Sequence, residues 1–391
     1  MPDNDDLQTP SREAPLAKAV ELQPLLRHHA AAAEKHRRAA DEVIDAMTAA
    51  GFFRLLTPIR FGGYQTDIRT AFEVCEAVSE ADASAGWLLG IAAVSAWVVE
   101  DATERAQQEV FGAGPDAKMA GGVAAVPARR VHGGLRISGR WAYASGSFHA
   151  RWAAISGSVD DGGQPVPYYC LVPASEVRLE QTWYTIGMRA TGSNTWIADD
   201  VFVPEHRLIP MTTLVAGQAL TETARSAVPF VPLATLFLLP AILGAGHAAL
   251  TLVLDAARTK PMQYSVFPRQ GDSVGVQLQV SEAELKLRTA RLHAYKVAEE
   301  LDELGEASAP EYADRARHKA MCSFAARQVL DALDILVSVH GAGTFAETNP
   351  LQRYWRDANT AARHAGLNHG LAGEVYGKDL LAIDETVSTT V

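Results

Sequence analysis

Residues 133–147 read GGLRISGRWAYASGS, and residues 151–159 read RWAAISGSV. Apolar and polar side chains alternate in both, and that two-residue period puts one face of a strand in a core and the other toward solvent. Clusters of Gly, Pro, Asp and Ser recur from 119 to 210, as short strands joined by turns require. On either side the period changes to three and four. Residues 16–50 place apolar positions at that spacing between charged ones, and Gly51 ends the run. AGFFRLLTPIRFGG (50–63) closes on Pro58 and the Gly62-Gly63 turn, and a second helical stretch runs from 68 to about 111. After Val228 the helical period returns. It holds around 241–257, through VSEAELKLRTARLHAYKVAEELDEL (280–304) and ADRARHKAMCSFAARQVLDALDILVSVHG (313–341), and again after Pro350.

Helices, then strands, then helices predict an α+β protein that is mainly α. A disordered tail (1–14) precedes an N-terminal helical domain (15–115), a central β domain (116–222) and a C-terminal four-helix bundle (223–391). The 391 residues suit two or three interlocked subdomains. A net charge of -11 and no long Lys/Arg block argue against a nucleic-acid partner. Cys75, Cys170 and Cys322 lie far apart, so neither a disulfide framework nor a zinc knuckle is expected, and a reducing cytoplasm fits. The start, MPDNDDLQTPSREAP, is acidic and polar, unlike a secretion signal. Residues 226–254 carry no Asp, Glu, Lys or Arg, but Pro229, Pro232, Pro240, Gly244 and Gly246 interrupt them, so a buried core helix is expected and no membrane span.

The pattern GxGxxA occurs at 244–249 and 341–346, but neither follows a strand in a βαβ unit, which excludes a nicotinamide-binding fingerprint. No GxSxG elbow, HExxH, P-loop or calcium loop is present. On a helix starting near Pro350, Arg353, Arg356, Asp357, Thr360 and His364 share one face. That face reads either as a solvated surface with an ion pair or as a functional one. His369 lies about 140° round from His364, so the two form no helical metal pair, and no metal is expected. In WAYASGS, Trp141 and Ser145 are expected on one strand face, an aromatic plane beside a hydroxyl. RATGSNT (189–195) sets Thr191, Ser193 and Asn194 around a glycine, a donor set or simply a polar turn.

Taken together, AGFFRLLTPIRFGG, GRWAYASG (139–146), WYTIGMRATGSNTWIADDVFVPEHR (183–207) and HGAGTFAETNPLQRYWRDANTAARH (340–364) resemble the acyl-CoA dehydrogenase fold superfamily in content and order. The resemblance covers residues 15–381 and implies a tetramer with a flavin between the β domain and the bundle. Acyl-CoA dehydrogenases commonly carry a glutamate just beyond the Arg-Asp pair, because removing a proton beside a thioester carbonyl needs a carboxylate base. Here the neighbourhood reads RHAGL (363–367), with the imidazole of His364 instead. That pattern resembles the two-component flavin monooxygenases of this fold. They take reduced FMN or FAD from a separate NAD(P)H-dependent flavin reductase, use O2, and need a dry pocket with a few fixed polar groups.

The resemblance implies that Ser145 contacts the reactive edge of the flavin, that Trp141 lines it, and that Thr191 and Ser193 hold its polar parts. It implies that Arg269, in FPRQG (267–271), reaches a neighbouring subunit's flavin phosphates, although a plain surface arginine fits the sequence equally. Gly341 and Gly343 would let backbone approach the same flavin, and His364 would assist oxygen activation or proton transfer. The substrate pocket is expected from Trp87, Ser95 and Trp97 of one helix together with Met119. Relatives acting on phenols often carry a histidine where this chain has Ser95, which favours a larger polycyclic, indolic or heteroatom substrate. The expected activity is monooxygenation of an aromatic or polycyclic small molecule. N- or S-oxygenation and an acyl-CoA dehydrogenase-like oxidoreductase are the alternatives on this scaffold. From a different class, a helical scaffold without catalysis is disfavoured by the joint presence of Ser145, the glycine turn and His364.

Overall fold

The computed structural model describes residues 9–217, 228–304, 310–388 and 390–391. Residues 1–8 of the expected tail and the junction at 222 lie outside the described residues. Five helices open the chain: α1 (Glu13–His36), α2 (Asp41–Ala49), α3 (Ile68–Ser79), α4 (Ala83–Glu100) and α5 (Glu104–Phe111). Asp67 caps α3 by accepting from the Thr70 N–H, and Asp302, far along the chain, accepts from the Ile68 and Arg69 N–H groups at 2.7 and 2.9 Å. The first orphan amides of α3 are thereby satisfied from the bundle. Asp82 caps α4 in the same way. Because α4 is apolar on nearly every side, it is buried all round.

Seven strands follow: β1 (Met119–Val131), β2 (Gly134–Ala144), β3 (Trp152–Asp161), β4 (Gln164–Pro173), β5 (Arg178–Glu180), β6 (Asn194–Pro204) and β7 (Leu208–Pro210). They form one sheet in the order β5-β6-β2-β1-β3-β4-β7, antiparallel except for the β1/β3 pair. The short helices α6 (Met211–Ala216) and α7 (Phe230–Leu236) lead to α8 (Leu239–Ala257), α9 (Val274–Glu303), α10 (Tyr312–His340), α11 (Pro350–Ala361) and α12 (His369–Leu380). The main core runs continuously through α3, α4, α8, α9, α10 and α11, so the bundle and the N-terminal helices share one interior. The expected class holds: helical N-terminal part, central sheet, helical C-terminal part.

Among the described residues, Ala83–Glu100 and Phe230–Ala257 are long and apolar enough to cross a membrane, but 94% of the first and 78% of an 18-residue apolar window in the second are buried inside the protein. Core helices of a large domain have this character.

Candidate active site

The site begins at an irregularity in β2. Trp141 pairs with Trp196 and Ala144 with Asn194, so β2 holds one more residue than β6 over that interval. Tyr143, at φ +64°, absorbs it. Such a bulge breaks the alternation of faces. Trp141 therefore stays fully buried in the sheet core, with its indole N–H donated to the Ser156 carbonyl at 3.0 Å. Ser145 falls beyond the strand, in a turn. Both expectations for Trp141 are thus corrected: it does not share a strand face with Ser145, and it has no open ring face for a cofactor.

The turn around Ser145 is strapped to the loop entering β6. The Gly146 N–H donates to the Thr191 carbonyl at 2.8 Å, the Ser147 hydroxyl to the Gly192 carbonyl at 2.8 Å, and the Asn194 amide to Ser147 Oγ at 3.3 Å. Gly192, at φ +53°, is a glycine for a physical reason: a Cβ there would lie 2.7 Å from the Phe148 ring. From the bundle side, α11 grips the same loop. Arg356 donates to the Ile186 carbonyl, and Asp357 Oδ1 accepts from the Met188 N–H at 2.5 Å. Gly187 lets the helix come that close, since a Cβ would meet the Arg356 carbonyl at 2.2 Å and Thr360 Oγ1 at 2.3 Å. Arg356 also pairs with Glu34 of α1 at 2.6 Å. Through Arg356 and Asp357 the polar face of α11 seats the loop that carries Thr191 and Ser193. Burial, reinforced by the nearby Asp82 charge, pushes the Asp357 carboxyl up to about 7.

Between turn and loop runs a continuous line of hydrogen bonds. The Trp87 indole N–H donates to Ser145 Oγ at 3.0 Å. Ser145 Oγ lies 2.7 Å from Ser193 Oγ, which lies 2.6 Å from Thr191 Oγ1, and Thr191 donates to the Met188 carbonyl at 2.8 Å. The Trp183 indole donates to that carbonyl too, at 2.8 Å. All of Trp87, Ser145, Thr191 and Ser193 are buried.

His364 is not on α11 as expected. That helix ends at Ala361, and His364 takes an extended conformation at the start of a short turn over Ala365–Leu367. Its Nδ1 accepts from the Gly366 N–H at 3.1 Å, which leaves the ring hydrogen on Nε2. The imidazole meets the Trp87 ring edge to face, with centroids 6.0 Å apart. It opens to the surface on one side, and desolvation by the surrounding protein lowers its pKa, so it is neutral at neutral pH. Trp87 thus touches both Ser145 and His364. Among the described residues no carboxylate is hydrogen-bonded to His364, Ser145 or Ser193.

The other candidates lie elsewhere. Ser95 is buried close to Tyr169 on β4, whose phenol burial pushes up in pKa. Trp97 and Met119 are core residues. None of these three offers an open pocket wall within this chain. Arg269, Gly341 and Gly343 form a separate group at the end of α10. Gln270 and Lys260 there donate to the Val339 and His340 carbonyls, while Arg269 is exposed and paired with Asp272 at 2.7 Å. Gly341, at φ +82°, needs to be glycine for its backbone alone, since within the chain a Cβ would meet nothing within 4 Å. Sequence reading missed Gly187, Met188, Trp183 and the clamping role of Asp357. Met188 sits at φ +52°, a conformation that a methionine does not announce. No group of three His, Cys, Asp or Glu side chains suited to a metal occurs among the described residues.

Comparison with known proteins agrees with this architecture. The family described as acyl-CoA dehydrogenase, N-terminal domain, matches residues 19–113, and acyl-CoA dehydrogenase, C-terminal domain, matches 236–369. The chain is 33% identical to a pigment production hydroxylase of Rhodococcus sp., covering 91% of this chain and 93% of that protein. It is 32% identical to an FADH2-dependent resorcinol hydroxylase, oxygenase component, of Rhizobium sp., covering 92% of each. Among solved structures, XiaF from Streptomyces sp. in complex with FADH2 and glycerol superposes with a TM-score of 0.91 at 34% identity, over 97% of this chain and 98% of that one. With the bundle, the sheet and the hydroxyl line in place, the chain belongs to the acyl-CoA dehydrogenase superfamily, in its branch of flavin-dependent monooxygenases.

Proposed function

We propose that this protein is the oxygenase component of a two-component monooxygenase that hydroxylates an aromatic or polycyclic small molecule. Reduced flavin supplies the two electrons and two hydrogens, O2 supplies one oxygen atom to the product and one to water, and the oxidised flavin leaves for a separate reductase. The observation that carries the reading is the contact of Trp87 with both His364 and Ser145, with an imidazole where thioester dehydrogenation needs a carboxylate. The residues present fit a reduced flavin: buried hydroxyls with spare lone pairs suit its ring N–H groups, and neutral His364 offers an Nε2 hydrogen. In this reading Ser145 and Ser193 orient the ring, Thr191 fixes their hydrogens, and His364 moves a proton at Nε2.

Reduced FAD is the first cofactor to test, since both the resorcinol hydroxylase and the XiaF complex are described with FADH2. Hydroxylation at carbon is favoured over N- or S-oxygenation by the two hydroxylases among the relatives. A homotetramer is part of the proposal. Arg269 is exposed and pairs with Asp272, and Leu278, Leu285 and Leu292 leave an exposed apolar stripe along α9.

The deciding experiment is anaerobic titration with reduced FAD and reduced FMN, followed by 18O2 and a panel of aromatics with product detection by mass spectrometry. One 18O atom in a hydroxylated product supports the reading. Absence of labelled product across the panel, with flavin reduction by an acyl thioester instead, overturns it.

A further inference from the structure

The line of hydroxyls has a direction. At one end the Met188 carbonyl can only accept, so the 2.8 Å contact from Thr191 uses the Thr191 hydrogen. Ser193 then supplies the hydrogen of its 2.6 Å contact with Thr191, and Ser145 that of its 2.7 Å contact with Ser193. At the other end the Trp87 indole can only donate, and it occupies one lone pair of Ser145. Three hydroxyl hydrogens therefore fill three contacts. Ser145 keeps one free lone pair and no free hydrogen. Ser145, Ser193 and Thr191 are 7%, 4% and 2% exposed, so bulk water does not stand in for a missing partner.

We propose that this fixed polarity makes Ser145 an acceptor toward the cofactor and so selects the redox form of flavin that the site takes. In reduced flavin the central ring nitrogen carries a hydrogen; in oxidised flavin it offers a lone pair. An acceptor hydroxyl complements the first and opposes the second. To serve the oxidised ring, Ser145 must turn its hydrogen outward. One buried O···O contact of 2.8 Å or less then faces lone pair to lone pair, or the Met188 carbonyl loses the Thr191 hydroxyl. The inference rests on the flavin reading above. It assigns Thr191 a positioning role, exerted through Ser193 and Ser145, that no single contact of its own reveals.

The test is anaerobic equilibrium binding of oxidised and reduced FAD to the full chain, its Thr191→Val, Ser193→Ala and Trp87→Phe variants, each first checked for a cooperative thermal melt. The parent is expected to prefer the reduced form by about tenfold or more. Thr191→Val and Ser193→Ala each release the Ser145 hydrogen, so the ratio of the two affinities falls about tenfold toward unity, chiefly by tighter binding of oxidised FAD. Trp87→Phe frees only a lone pair, so both forms bind more weakly and the ratio stays. A general structural role would weaken both forms alike in all three variants. An unchanged ratio in Thr191→Val and Ser193→Ala, alongside a parent that prefers reduced FAD, overturns the inference and leaves the flavin reading standing. A parent that binds neither form removes both.

Discussion

The Trp87 indole donates to the Ser145 hydroxyl across 3.0 Å, joining the central helix of the N-terminal domain to the turn that ends β2. The same ring also meets His364, delivered by the bundle, with centroids 6.0 Å apart. One side chain therefore gathers groups from all three parts of the chain. Trp87→Phe keeps most of the packing and removes the bond. The expected outcome is a loss of about 1 kcal/mol in stability and a larger share of O2 released as hydrogen peroxide. Comparing product formed with O2 consumed checks it, and a parental ratio would mean that the bond does not hold Ser145 for the reaction.

His364→Ala is expected to lower hydroxylation by about 10²-fold or more with little change in reduced-FAD affinity, the pattern of a lost proton-transfer group. In the parent the His364 pKa lies below the ordinary histidine value, 6.5, because the charged form is desolvated. Activity that needs the neutral ring should persist down through pH 6.5 and fall only in more acidic solution. A rate that already drops above pH 7 would assign the titration to another group.

Gly187→Ala would place a Cβ 2.2 Å from the Arg356 carbonyl backbone. Since backbone cannot swing aside as a flexible side chain does, the loop must lift from α11 at a cost of about 1–3 kcal/mol. Both the melting temperature and reduced-FAD affinity should fall together, because the displaced loop carries Thr191 and Ser193. Affinity that survives a lowered melting point would separate the clamp from the cofactor site.

Asp357 supplies a pH-dependent test of that clamp. Its folded pKa, about 7, lies above its ordinary value of 3.8. The cost of its buried charge is therefore absent below pH 3.8, sets in as pH rises, and is full above about 7. Asp357→Asn keeps the carbonyl that accepts from Met188 and removes the charge. The melting temperature of the variant relative to the parent should rise by a few degrees between pH 5 and 8. A difference that stays flat over this range would mean that Asp357 does not titrate there.

Some of this site was legible in one dimension. Ser145, Thr191 and Ser193 stand in small-residue turns, where hydroxyls are expected to meet polar partners, and they do meet one another. Trp141 misled because a period of two was extended across a bulge whose extra residue no local pattern marks. His364 misled because helix spacing was carried past Ala361, where α11 stops without a glycine or proline to signal it. Asp357 was placed on a polar helix face whose partner, the Met188 amide, lies 169 residues away in the chain.

From its order of amino acids alone, this protein declares helix, strand and helix in succession, because hydrophobic period is a local property that each segment carries by itself. The same order puts an imidazole where a dehydrogenase keeps its acid. Only the tertiary structure decided that Trp87 meets both His364 and Ser145, that α11 grips a distant loop, and that three hydroxyls share their hydrogens in a single direction. Those facts depend on which buried donors meet which acceptors across the fold. Such pairings are set by long-range packing and by the high cost of an unmatched polar group in the interior, neither of which any short stretch of sequence contains.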